Sequence, residues 1–232
     1  MDQPVTDPTP GTDAATDATT DATTEWLIDA DDPLLSAERL ARVADDRLPD
    51  RLVWNTFRTL GLWNTEAWVP SMLEVACGRD NVLSPLEWDG AQIVPWGAGL
   101  KDGDLCDVVL DGPAAYVVVA CSASGEPSEE EVRAAAVAAL DGSLSGGREA
   151  GLVLVVPPGA PDPAGVLERA GEVPLLDGRL VDDLLAARMG FVEWPYLGTL
   201  ALDLAEENDP EPQEQVRRLV SQLQARFPSA DI

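Results

Sequence analysis

Apolar positions along the chain change period several times, and each change predicts an element. Ser36 is placed to cap a helix running to about Asp46. From Arg51 to Leu60, Val53, Trp54, Phe57 and Leu60 recur at helical spacing and give a second helix one apolar face. A third helix is expected over Trp68 to Cys77, with Pro70 in its first turn or at a kink and Gly78 as its stop. Strands are then expected at Ala91 to Trp96, Leu105 to Leu110 and Tyr116 to Cys121, separated by the Gly-rich turn Gly97 to Gly103 and by Asp111-Gly112-Pro113.

Ser128 and Glu131 form a capping box that opens an Ala-rich helix to Leu140. Gly151 to Val156 is a continuous apolar run of the kind buried on both faces of a sheet. Beyond it the pattern predicts a helix over Ala164 to Ala170, a strand over Val173 to Leu176 and a helix over Val181 to Met189. Two more helices follow, Thr199 to Asn208 and Glu211 to Phe227. The second places Val216, Leu219, Val220, Leu223 and Phe227 on one face, as a helix docked on a core would.

The N-terminal stretch has a different character. Thr12 to Thr24 reads TDAATDATTDATT, with no large apolar side chain, and residues 1–32 are expected to form a disordered acidic tail ahead of a single domain over 33–232. Those 32 residues hold nine acids and no base, which leaves −18 of the formal −27 on the remainder. Duplex DNA is therefore an unfavourable partner for the domain, because such binding draws on Lys and Arg neutralising phosphates. Segment 33–60 is the exception: Arg39, Arg42, Arg47, Arg51 and Arg58 stand against four acids, and a solvated mixed-charge helix face is the expected reading.

Composition narrows the chemistry. The chain has no histidine, so His-based proton transfer and the usual zinc patterns are absent. Three cysteines, Cys77, Cys106 and Cys121, are too few and too odd a set for a secreted disulfide framework. No uninterrupted apolar stretch is long enough to span a membrane, no signal-peptide order opens the chain, and a cytoplasmic location is expected. Fourteen arginines beside the single Lys101 suggest GC-rich bacterial coding.

If the second and third strands form a hairpin closed by Gly112 and Ala115, Asp107 faces Ala120 and Cys106 faces Cys121. Asp107, Ala120 and Ser122 then share one face and the two cysteines the other. The segment CDVVLDGPAAYVVVACSAS, within this order of elements, resembles the core of PD-(D/E)XK nucleases, the restriction-endonuclease-like superfamily. The flanking WNTFRTL and the C-terminus around Trp194 and Tyr196 extend the resemblance over about residues 50–227.

The resemblance implies an α/β core of helix, three strands, helix and strand, with added N- and C-terminal helices. It implies metal-binding positions at Asp107 and, from the preceding helix, Glu74 in WVPSMLEVACG, where the family holds magnesium. The family's Glu and Lys positions fall on Ala120 and Ser122, so half of the catalytic set is replaced. Lys101, and Glu126 or one of Glu129 to Glu131, are the candidates for migrated catalytic groups; Cys106 and Cys121 are expected to be core thiols rather than a redox pair.

The expected function is that of a pseudoenzyme: a non-catalytic nuclease-fold protein, without a cofactor, that acts through an unidentified protein partner in a bacterial defence or DNA-processing assembly. The alternatives are an active magnesium nuclease with a displaced site and an acidic DNA-mimic inhibitor.

Overall fold

A computed structural model describes residues 36–44, 49–100, 105–172, 188–207, 212–230 and 232. The acidic N-terminal run, Lys101 and the strand expected at Val173 to Leu176 lie outside the described residues. So does the helix expected at Val181 to Met189, except for its last two positions.

Seven helices and five strands are described. Two helices open the domain, α1 (Ala37–Ala44) and α2 (Asp50–Leu60), and a 3-10 turn at Thr65–Ala67 leads into α3 (Val69–Cys77). Three strands follow, β1 (Gln92–Pro95), β2 (Cys106–Asp111) and β3 (Ala115–Cys121), and then α4 (Glu129–Leu144) and β4 (Glu149–Val156). The chain continues through α5 (Pro163–Gly171), β5 (Met189–Glu193), α6 (Trp194–Glu207) and α7 (Gln213–Arg226). The caps act where the sequence placed them: the Arg39 amide donates to Ser36 Oγ at 3.3 Å, and the Ser128/Glu131 box is complete in both directions. Pro70 sits in the first turn of α3, and Gly78 ends it at φ +86°, a conformation suited to glycine.

The sheet is mixed, and its spatial order β1-β2-β3-β4-β5 is the order of the chain. β1, β2 and β3 are antiparallel neighbours, while β3, β4 and β5 run parallel. One face carries Leu105, Val109, Val118, Ala120, Leu152, Leu154 and Val156, packed against Val132, Ala135, Ala136 and Ala139 of α4 and Val166, Leu167 and Ala170 of α5. Small alanines on α4 let that helix lie close to a sheet rich in branched side chains.

The opposite face is covered by α2 and α3. A Cβ at Gly61 would touch Ile93 Cδ1 at 3.2 Å, and one at Gly190 would run into the Ala76 carbonyl of α3. Two C-terminal helices close this side: Asn55 Nδ2 of α2 donates to Gln222 Oε1 of α7 at 2.8 Å, and Gly198 of α6 lies beneath Leu223 of α7. On α7, Val216, Leu219, Leu223 and Phe227 are buried as their spacing predicted, and Val220 is half-buried.

Two expectations need correction. Met189 does not end a helix; it begins β5, a strand that periodicity missed because Met-Gly-Phe-Val-Glu is short and carries a glycine at its second position. That glycine is required by the close approach of α3. The sixth helix begins at Trp194 rather than Thr199, since Pro195 is compatible with a first helical turn and does not break it.

Candidate functional site

The β2–β3 hairpin brings together most of the residues singled out by the sequence. The Gly112 amide donates to the Ala115 carbonyl at 2.9 Å, and the register opposes Asp107 to Ala120 and Cys106 to Cys121. Hydrogen-bonded and non-hydrogen-bonded pairs alternate along such a ladder. Counting back from the turn makes Asp107 and Ala120 a non-hydrogen-bonded pair, with Cα atoms ~4.5 Å apart and side chains on the α4 face. Ser122 continues the alternation on the same side, and the two cysteines point to the α2 and α3 side.

Asp107 is fully buried. Its Oδ2 accepts from the Ala98 amide at 2.6 Å and its Oδ1 from the Leu100 amide at 3.2 Å, while its own carbonyl accepts from the Trp96 amide at 2.7 Å. The chain between β1 and β2 is thus wrapped around one carboxylate. Burial pushes the Asp107 carboxyl above its usual range; the loop amides, and more weakly the Arg39 charge, pull in the opposite direction.

Ala120 is buried within the cluster that includes Val132, Ala135 and Ala136. Ser122 is also buried: its hydroxyl donates to the Gly125 carbonyl at 2.9 Å, and its carbonyl accepts from Trp194 Nε1 at 2.7 Å. Nothing at these two positions presents a carboxylate or an ammonium.

Glu74 is placed apart from this group. The backbone of α3 crosses the sheet at Gly190, whose neighbours Met189 and Phe191 point to the α4 and α5 side, so Glu74 belongs to the face opposite Asp107. Its carboxylate pairs with Arg79 at 2.5 Å in an exposed ion pair. Glu126 accepts from the Asp162 amide at the start of α5 at 3.2 Å, and Glu131 serves the cap of its own helix through Ser128. Glu129 lies 3.9 Å from Arg169.

Magnesium takes oxygen ligands and usually one or two carboxylates. Asp107 has its oxygens on backbone amides and Glu74 is on the other side of the sheet, so the two do not fit a shared ion. Among the described residues no group of three or more His, Cys, Asp or Glu could hold a metal. Cys106 and Cys121 are free, buried thiols whose pKa values burial pushes well up, which suits packing rather than reactivity. No helix among the described residues is long and apolar enough to cross a membrane.

No protein-family model, curated protein or solved structure matches the chain.

A second cluster, which periodicity did not reveal, adjoins the Asp107 loop. Trp96 stacks on Trp54 of α2 with ring centroids 5.4 Å apart and planes 16° from parallel. The Arg39 guanidinium lies 4.9 Å over Trp96, and that of Arg58 lies 5.2 Å over Trp54. Asp50, fully buried at the start of α2, accepts from Arg42 Nε at 2.8 Å, Arg42 Nη2 at 3.0 Å and Trp96 Nε1 at 3.2 Å. Trp96 has φ +57°, the one positive value outside glycine among the described residues. For so bulky a residue that conformation costs of order 1–3 kcal/mol. The sequence did carry a signal for this cluster, namely the excess of arginine over residues 33–60.

Proposed function

We propose that the chain is a non-catalytic, nuclease-like α/β protein that acts through contacts with another protein. The observation that carries this reading is the state of the hairpin pair: Asp107 is buried with its carboxylate on the Ala98 and Leu100 amides, and the residue opposite is a buried alanine. The order α3, β1, β2, β3, α4, β4 is the helix, three strands, helix and strand that the restriction-endonuclease-like resemblance implies.

On that reading an ancestral metal site has become structural, and its acid now shapes the loop after β1. Phosphodiester hydrolysis needs a metal or a cation at the transition state and a means of activating water. Alanine and a hydrogen-bonded serine supply neither. The partner implied by the resemblance is a component of a DNA-processing or defence assembly.

Incubation of the full chain with supercoiled and linear DNA, in millimolar magnesium or manganese, tests the proposal. No cleavage is expected. Metal-dependent cleavage that disappears in Asp107→Ala would restore Asp107 as a catalytic ligand and overturn it; cleavage that persists in that variant would overturn it through a different site.

A further inference from the structure

Helix α1 is attached to the domain largely through its arginines. Arg42 Nε and Nη2 donate to the two oxygens of Asp50 at 2.8 and 3.0 Å, and the Arg39 guanidinium lies 4.9 Å over the Trp96 ring. Arg51 Nε of α2 donates to the Val43 carbonyl at 3.0 Å. Val43 is fully buried and Leu40 half-buried, while Ala37, Glu38 and Ala41 are exposed. We propose that α1 is an internal occupant of a receptor for an arginine-bearing helix of the protein partner, and that the partner binds by displacing it. The inference rests on the reading of the preceding subsection, since it names the surface and the chemistry of that partner.

The receptor is built around Asp50. This carboxylate is fully buried at the start of α2, and without Arg42 it would keep the bond from Trp96 Nε1 at 3.2 Å. A buried acid that loses its cation is strongly destabilising, so the position requires a guanidinium whenever α1 is away. A carboxylate that offers both oxygens beside an indole face is suited to the planar fork of arginine and poorly suited to lysine.

The aromatic side of the receptor does not depend on α1 for its position. Trp96 stacks on Trp54 of α2 and bonds Asp50, and these contacts hold it at φ +57° against the backbone penalty. The ring and its Nε1 are therefore in place before a ligand arrives, which lowers the cost of binding. Arg39 and Arg42 stand three residues apart on one helix face, with Val43 beside them. The matching ligand is a helix with two arginines at that spacing followed by a small branched apolar residue, and a chain of net charge −27 attracts such a basic segment over long range.

Displacement requires α1 to open while the rest of the domain holds. α1 has eight residues, fewer than the ~12–15 at which an isolated helix becomes even marginally stable in water, so it unravels once released. α2, by contrast, has nine of its eleven residues buried and remains as the receptor wall.

The test uses the full chain and a labelled, end-capped peptide of the α1 sequence, AERLARVA, as a stand-in for the partner helix, followed by fluorescence anisotropy. Wild type should bind weakly, because its own α1 competes. Arg42→Ala empties the receptor without altering it and should bind at least about tenfold more tightly, since apparent Kd falls as the open fraction rises. Asp50→Asn breaks the same ion pair but removes the receptor's charge, and should abolish binding. A peptide with both arginines replaced by lysine should bind Arg42→Ala more weakly. Should Arg42→Ala fail to fold, as its melting curve would show, Arg39→Ala is expected to bind about threefold to tenfold more tightly than wild type, the effect of one lost cation–π contact. Hydrogen exchange of wild type provides a measurement without any variant: the amides of residues 37–44 should exchange faster than those of α2, and the peptide should accelerate them further.

Equal behaviour of Arg42→Ala and Asp50→Asn would overturn the proposal, because a pair with only a structural role predicts that. Exchange of α1 and α2 amides at one common rate would overturn it too, as would exchange of α1 between two copies, seen as a dimer in sedimentation. The two readings fail separately: metal-dependent DNA cleavage by a chain whose Arg42→Ala variant binds the peptide removes the non-catalytic reading and leaves the receptor, whereas no cleavage and no peptide binding does the reverse.

Discussion

Replacing Ala120 by glutamate returns a carboxylate to the position opposite Asp107, and the structure sets what that should do. Ala120 is buried under α4 among alanines, so the longer side chain must displace Val132, Ala135 or Ala136. Overpacking of this kind costs about 1–3 kcal/mol. The new carboxyl also faces Asp107 across a non-hydrogen-bonded pair at a Cα spacing of ~4.5 Å, which disfavours ionising both. Keeping it protonated at pH 7, against an ordinary glutamate value of about 4.3, costs ~4 kcal/mol.

Together these terms come to roughly 5–7 kcal/mol, comparable with the ~5–15 kcal/mol stability of a typical domain. Ala120→Glu should therefore unfold at much lower urea concentration than wild type. Because its folded-state pKa is raised, the variant should be least destabilised in mild acid and lose further stability as pH rises towards the folded value. Urea titrations between pH 5 and pH 8, with and without magnesium, provide the assay. A loss below about 1 kcal/mol without pH dependence would mean that the side chain escapes the α4 interface. Recovery of ~2.7 kcal/mol by magnesium, the linkage expected at a hundredfold excess over Kd, would show Asp107 leaving the loop amides for a metal, and either result refutes the reasoning.

Two further substitutions test separate parts of the structure. Asp107 has a folded pKa raised by burial, so its contribution to stability is fully present below its unfolded value and declines as pH rises through the folded value. Relative to Asp107→Asn, wild type should gain stability as pH falls from 7 towards 4 in urea melts, and a relative loss would mean that the amide bonds outweigh burial. Gly190→Ala should lose at least ~3 kcal/mol in thermal or urea unfolding, since its Cβ meets the α3 backbone rather than a movable side chain; a near-neutral result would show that α3 can shift away from the sheet.

The hairpin register was legible in the sequence through its turn, closed by Gly112 and Ala115; the strands themselves are continuous apolar runs buried on both faces, so alternation did not select the pairing. The helix starts at Ser36 and Ser128 were legible because a side-chain oxygen three residues before a free amide is a local interaction. The fate of Asp107 was not. Its partners are the amides of Ala98 and Leu100, and every residue has an amide, so nothing in the sequence marks which ones fold back on the acid. The placement of Glu74 was hidden in the same way, because spacing locates it on a helix face but not on a side of the sheet. Trp54 and Trp96 stand 42 positions apart, and their stacking follows from packing α2 against the end of β1.

The identity between strand order in space and strand order in the chain bears on how the sheet is assembled during synthesis. Each new strand can add to the edge left by the one before it, so none must insert between two already paired, and the early turn at Pro113 and Ala114 closes a short loop. The helical cover follows the opposite schedule. α2 leaves the ribosome long before α7, and Asn55 and Gln222 are separated by 167 residues. The apolar side of α2 therefore remains uncovered by α7 until residues 213–226 have been made, and a chain stopped before residue 213 would leave that side of α2 exposed and prone to aggregation.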